Sequence, residues 1–146
     1  MVPTFFRYKG YELTFADELI RTAMNAQTYD ESLDKLRAAF VACLRNGENL
    51  LIDCGKGSID FTTKWTRPDV FDTKIFFDWD LGHKRENYMK IVKDHENHGL
   101  GGINPGHYYH HDKFSMTFCS GGDDAEIAEL VSLIPHSAKM RKIIIT

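Results

Sequence analysis

Five of the seven histidines fall between His95 and His111. His95 and His98 are separated by two residues, and His107, His110 and His111 follow a glycine-rich stretch. Zinc and related metals need imidazole lone pairs that converge in space. Asp112 supplies an oxygen ligand or orients a ring. A loop that folds back would bring three or four of these donors together. The spacing is not H-E-x-x-H, although Glu96 follows His95 directly. His107 and His110 would point to opposite faces of a strand, and His95 reads equally well as a core-facing helical residue. The competing reading of the whole set is a solvated polar loop.

A second group is carboxylate and thiol. Asp53 follows the apolar run Leu50–Ile52, and Asp78 and Asp80 follow the run KIFF at 74–77. If both runs are neighbouring parallel strands, Asp53, Asp78 and Asp80 share one sheet edge. Such an edge can hold magnesium together with a substrate phosphate. Cys119 precedes Ser120, Gly121 and Gly122, and a helix start follows at Asp123. A thiol at a turn before a helix is a candidate nucleophile, and the turn a candidate anion cradle. The cysteine-phosphatase pattern C-x5-R is absent, because position 125 is Ala125. Cys54 also sits at a strand end, and Cys43 reads as a buried, inert thiol.

Gly55-Lys56-Gly57-Ser58 imitates a phosphate loop but departs from G-x-x-x-x-G-K-[ST]. A glycine separates the lysine from the hydroxyl, and Leu50 stands where the first glycine belongs. A tight turn is the simpler reading. Lys56 and Ser58 remain ligand candidates beside Ser120, Gly121 and Gly122.

Two short resemblances accompany these residues. Asp78-x-Asp80 after an apolar run resembles the nucleophile motif of the haloacid-dehalogenase-like phosphatases, over Ile75 to Gly82. That resemblance implies phosphoryl transfer; Gly82 stands where the family normally has threonine or valine. The stretch NGEN-LLIDCG, Asn46 to Gly55, is similar to inner strands of the ring-forming P-loop ATPases. It implies an ATPase-like module serving as a protein-binding part, without an intact nucleotide signature or an assignable arginine finger.

The elements that position these groups follow from periodicity. Val2 to Tyr11 is aromatic, and Phe5, Phe6 and Tyr8 suggest an edge strand with Gly10 as its turn. Thr14 with Asp17 suggests the cap of a helix running from about Phe15 to Asn25. Thr28 with Glu31 caps the clearest helix, in which Leu33, Leu36, Phe40 and Leu44 recur at steps of three and four. Asn46 and Gly47 stop it. Leu50, Leu51 and Ile52 read as a strand covered on both faces. Residues 58–65 fit a short helix or a strand equally, and 83–97 reads as a helix. Gly99 to Gly106 is a loop by composition. Phe114, Met116 and Phe118 alternate as a strand, and Asp123 caps a helix carrying Ile127, Leu130, Val131 and Ile134. Three isoleucines near the C-terminus suggest a strand inserted in the sheet.

The expected architecture is a single α/β domain over 1–146, three-layered, with a mainly parallel sheet and flanking helices. Its strands would include 49–53, 74–78, 113–118 and 141–145. The chain of 146 residues is long enough for one sizeable core. A formal net charge of −3 offers no general attraction to nucleic acid or an anionic membrane. No apolar run has the length of a membrane-spanning helix, and no long apolar stretch opens the chain as in a signal peptide. The three cysteines form no disulfide framework, which favours a reducing, cytoplasmic setting. No set of nucleophile, base and orienting group can be assigned. The favoured function is therefore a non-catalytic interaction or scaffold module with a protein partner. The alternative is binding or hydrolysis of a phosphorylated small ligand or nucleotide at the strand-end rim, with or without a metal. No cofactor is indicated.

Overall fold

The structure is a computed structural model, and it describes residues 4, 5, 8 and 10–145. At its centre lies the strand β2, Asn49–Asp53. Leu50, Leu51 and Ile52 are fully buried, as an apolar run covered on both faces requires. Each such side chain contributes about 1.5–3 kcal/mol of burial free energy, an upper bound. The strands β1, Gly10–Thr14, and β3, Ser115–Cys119, flank β2 on either side. Both pair with it in parallel, in the order β1-β2-β3. Thr14, Asp53 and Cys119 stand level at the carboxyl edge, and Gly10, Asn49 and Ser115 at the other.

Parallel strands need crossovers, and here the two differ in kind. The first carries α1, Phe15–Ala23, and α2, Tyr29–Asn46. Thr28 accepts the Glu31 N–H and Glu31 accepts the Thr28 N–H, a complete capping box. Gly47 ends α2 in the left-handed region, at φ 70°. Thr14 precedes α1 without a side-chain cap bond, so the Thr14–Asp17 box does not form. The helices are joined by a part-buried polar network. The buried Glu18 carboxylate takes Lys35 Nζ at 2.9 Å and the Gln27 amide, which in turn reaches Ser32.

The second crossover, residues 54–114, is irregular. It holds α3, Thr73–Phe76, α4, Trp79–Gly82, and α5, Arg85–Tyr88, with 3-10 turns at Asp94–Glu96 and Leu100–Gly102. The expected strand 74–78 is therefore helical, with Asp72 capping α3 and Asp78 capping α4 through their carboxylates. The expected helix 83–97 is broken as well. The Ile91 carbonyl, which a helix would offer to residue 95, accepts from Arg37 Nη1 at 2.8 Å instead. Residues 58–65 form turns held by Asp60, which accepts the Thr62 and Thr63 N–H groups. After β3 comes α6, Asp124–Ser132, with the expected Asp123 cap. Residues 141–145 pair with no described strand and are exposed. Of the aromatic N-terminal stretch, residues 2, 3, 6, 7 and 9 lie outside the described residues. Phe5 and Tyr8 are exposed, and Gly10 opens β1 rather than turning the chain.

The core lies on the sheet face bearing Leu13, Leu50 and Ile52. Leu33, Leu36, Phe40 and Leu44 of α2 pack into it, together with a ring cluster. Phe40 meets Phe114 and Phe71 at centroid distances of 5.1 and 5.4 Å, and Phe77 meets Phe118 at 5.0 Å. Edge-to-face pairs of this kind add about 0.5–1.5 kcal/mol each beyond their burial. No helix among the described residues is long and apolar enough to cross a membrane.

The β1–β2 pairing leaves no room for a side chain at its start. A Cβ on Gly10 would lie 2.1 Å from the Asn49 carbonyl oxygen, whereas one on Gly57 meets nothing within 4 Å. Gly10→Ala should cost about 2 kcal/mol or more in urea unfolding, and Gly57→Ala should stay within about 0.5 kcal/mol.

Candidate functional site

The carboxyl edge of the sheet brings together six of the predicted rim residues. Asp53 and Cys119 are register partners, with Cys119 Sγ 3.7 Å from Asp53 Oδ1. Asp53 Oδ1 also accepts the Gly55 N–H at 2.9 Å, an Asx turn that ends the strand. The Gly55 carbonyl then accepts the Gly121 N–H at 2.8 Å and the Ser120 hydroxyl at 3.2 Å. Ser120 Oγ accepts the Gly122 N–H at 3.2 Å, and the Lys56 stem lies beside Gly121. Ser58 points elsewhere and donates to Glu129 at 2.7 Å.

This edge is ordered, but its donors are used. A phosphate cradle needs several backbone N–H groups free and converging. Here those of Gly55, Gly121 and Gly122 are bound to the protein's own oxygens. The start of α6 carries the carboxylates of Asp123 and Glu126 in a reciprocal capping box, which sets negative charge where an anion would dock. The thiols are also held in their neutral form. Burial pushes Cys54 up to about 12, with Cys119 and Asp53 adding to it. Burial and then the Asp53 charge push Cys119 up to about 11. Cys43, buried in α2, is likewise pushed up to about 12.

Asp78 and Asp80 form a separate cluster. Asp78, only 5 % exposed, accepts the Asp80 N–H at 2.9 Å and Lys139 Nζ at 2.9 and 3.1 Å. Lys139 also donates to Asp80 at 3.1 Å, and His136 Nδ1 lies 3.4 Å from Asp78. The bond from Lys139 holds the Asp78 carboxyl below its ordinary range. An ammonium thus sits between the two carboxylates where the phosphatase resemblance would need a cation. That motif also follows a strand, whereas Asp78 here begins a helical turn. The pair ties the C-terminal turn Ser137–Lys139 to α4.

The histidines divide. His95 is exposed and lies 4.0 Å from Glu96. Nδ1 of His98 lies 2.9 Å from the Gly99 carbonyl and so carries the proton, leaving Nε2 to accept from Arg45 Nη1 at 3.4 Å. Both His98 nitrogens are occupied. His107, His110 and His111 line one small cleft with Arg45. Among the described residues no group of three or more His, Cys, Asp or Glu side chains is arranged to hold a metal ion.

Sequence reasoning missed the buried charge. Arg37 of α2 is 4 % exposed and places Nη1 and Nη2 on the Glu96 carboxylate at 2.6 and 3.0 Å. Its Nε donates to Asp34 at 2.6 Å. A signal existed, because Arg37 stands four residues after Leu33 and so falls on the inward side of the helix. Tyr108, buried in the middle of the polar HYYHHD run, donates to the Val41 carbonyl at 2.7 Å. No family model, curated protein or solved structure matches the chain.

The thiol environment makes a direct prediction. Native Cys119 should react with iodoacetamide at neutral pH far more slowly than an unperturbed thiol of pKa about 8.5. Asp53→Asn should raise its rate several-fold without changing that of Cys54 as much. Equal rates in the two proteins would show that Asp53 does not govern Cys119.

Proposed function

We propose that this protein is a non-catalytic interaction module that engages a protein partner by strand addition through residues 141–145. One observation carries the reading. Ile143, Ile144 and Ile145 are 74, 64 and 67 % exposed and pair with no described strand. Three consecutive β-branched residues combine strong strand preference with apolar surface that favours burial. Main-chain bonds to an edge strand would supply affinity, and alternate side chains would supply selectivity. Lys139 anchors the start of this segment to Asp78, so it leaves the fold from a fixed point.

The reading takes 1–146 as one domain with a third layer on the sheet face opposite the core. Leu51 supports that layer, since it is fully buried on the face away from Leu50 and Ile52. A cytoplasmic setting is part of the same proposal, supported by three free cysteines. The phosphorylated-ligand alternative at the rim draws support only from the nearness of Asp53, Lys56, Cys119 and Ser120, whose backbone donors are already engaged.

Because residues 143–145 touch little of the core, Ile144→Asp should leave thermal stability within about 0.5 kcal/mol of the parent. Sedimentation analysis and crosslinking in its native cells should show association in the parent, with crosslinks concentrated at Lys139 and Lys142. The variant should lose it. Association that survives Ile144→Asp, or a parent that associates with nothing, would defeat the reading.

A further inference from the structure

The small cleft beside the end of α2 has an unusual wall. Its volume is about 180 Å³, and Arg45, His107, His110, His111 and Tyr109 line it with no carboxylate among the lining residues. A volume of this size suits one small polyatomic group rather than a nucleotide or a drug-sized ligand. Guanidinium and imidazole together give a permanent cation and further N–H donors, which is chemistry for an oxyanion and against a divalent metal.

The proton positions strengthen this. His111 Nδ1 accepts the Lys113 N–H at 3.1 Å, so its proton resides on Nε2, which remains available as a donor. His110 Nε2 lies 3.3 Å from Asp112 Oδ1 and directs its proton there. His110 Nδ1 is shut from solvent and has no partner, and Arg45 Nε is in the same condition. Buried polar atoms without partners are rare and call for an explanation. Both orphans belong to residues that line the cleft. Both atoms are closed to a water-sized group, so the donors the cleft offers are His111 Nε2 and the outer nitrogens of the Arg45 guanidinium.

The backbone is built to hold this arrangement. The His111 N–H donates to the Leu44 carbonyl at 2.7 Å, which seats the ring on the C-terminal turn of α2. A Cβ on Gly47 would lie 2.6 Å from His111 Nδ1, so glycine there makes room for the ring as well as ending the helix. Arg45 is steadied by the Glu96 carbonyl at 3.1 Å, and His98 Nε2 faces its Nη1. Tyr109 stacks on His110 at 4.8 Å, and the His83 and Tyr88 rings close its far side at 5.7 and 5.8 Å.

We propose that the cleft of Arg45, His107, His110 and His111 binds a phosphate-class oxyanion, free or as the terminal group of a small ester. Residues that read in sequence as metal ligands thereby act as N–H donors beside the Arg45 cation. The proposal is independent of the strand-addition reading.

The test is a titration of the full chain with inorganic phosphate, followed by nitrogen-15 NMR of the histidine rings and the Arg45 Nε–H. Saturable shifts are expected at His110, His111 and Arg45, with affinity about tenfold or more weaker in Arg45→Gln. That variant also loses the bond to Glu96. His111→Asn provides the control, since its amide oxygen can still accept from Lys113 while the Nε2 donor is gone. It should fold normally and bind more weakly. In a second arm with glycerol 3-phosphate, tighter binding than inorganic phosphate supports an ester source, and weaker binding supports the free anion. No saturable shift up to about 20 mM phosphate, or equal affinity in both variants and the parent, would overturn the proposal. Shifts scattered over surface lysines would mean an adventitious ion only and would overturn it too.

Discussion

A buried guanidinium is the polar tie that joins the irregular half of the molecule to the regular half, beside the ring cluster that Phe40 and Phe118 share with it. Arg37 lies within α2 and spends its donors on Asp34, the Ile91 carbonyl and the Glu96 carboxylate. Burying such a charge is costly, and the arrangement is favourable only because every strong donor finds an acceptor. Residues 54–114 contain only short helical turns and isolated bridges, so contacts with α2 and the sheet do much to fix their position. Arg45 to the Glu96 carbonyl, Tyr108 to the Val41 carbonyl and the His111 N–H to the Leu44 carbonyl extend the same attachment. The α2 positions involved are 37, 41, 44 and 45, which follow one side of the helix. One stripe of α2 thus packs on the sheet, and an adjoining stripe carries the polar ties that shape the crossover.

This division explains what the sequence made legible. α2, β2, β3 and α6 announce themselves because local preference and tertiary demand agree: the Thr28–Glu31 box, Gly47, the Leu50–Ile52 run and the Asp123 cap. The sheet is parallel as expected, although the order that suggested it counted 74–78 as a strand, and the partners of β2 are β1 and β3. The run at 74–78 misled because its apolar residues serve two helical turns, with Asp72 and Asp78 as caps rather than strand-end acids. Read as cap signals, these two aspartates would have pointed the right way. The helix expected over 83–97 ends at Tyr88, and beyond it the Ile91 carbonyl serves Arg37, far away in sequence. The isoleucines at 143–145 kept their strand preference but found no strand to pair with, since such preference depends on context.

The candidate sites show the same limit. Strand-end position correctly grouped Asp53 with Cys119 and the Ser120–Gly122 turn. It could not show that the turn's donors were spent within the chain, or that Lys139 would neutralise Asp78 and Asp80. The histidine cluster was visible as composition. What gives it chemical direction is Arg45, which is contributed by α2 and lies far from the histidines in sequence. The cationic cleft, like the buried crossover, is therefore a product of α2.

That dependence can be measured by amide hydrogen exchange on Arg37→Met, which keeps the apolar stem and removes the guanidinium. Amides between residues 88 and 111 should lose protection while those of Leu50–Ile52 and Thr117–Phe118 keep theirs. Unchanged protection over 88–111, or an even loss across crossover and sheet together, would contradict it.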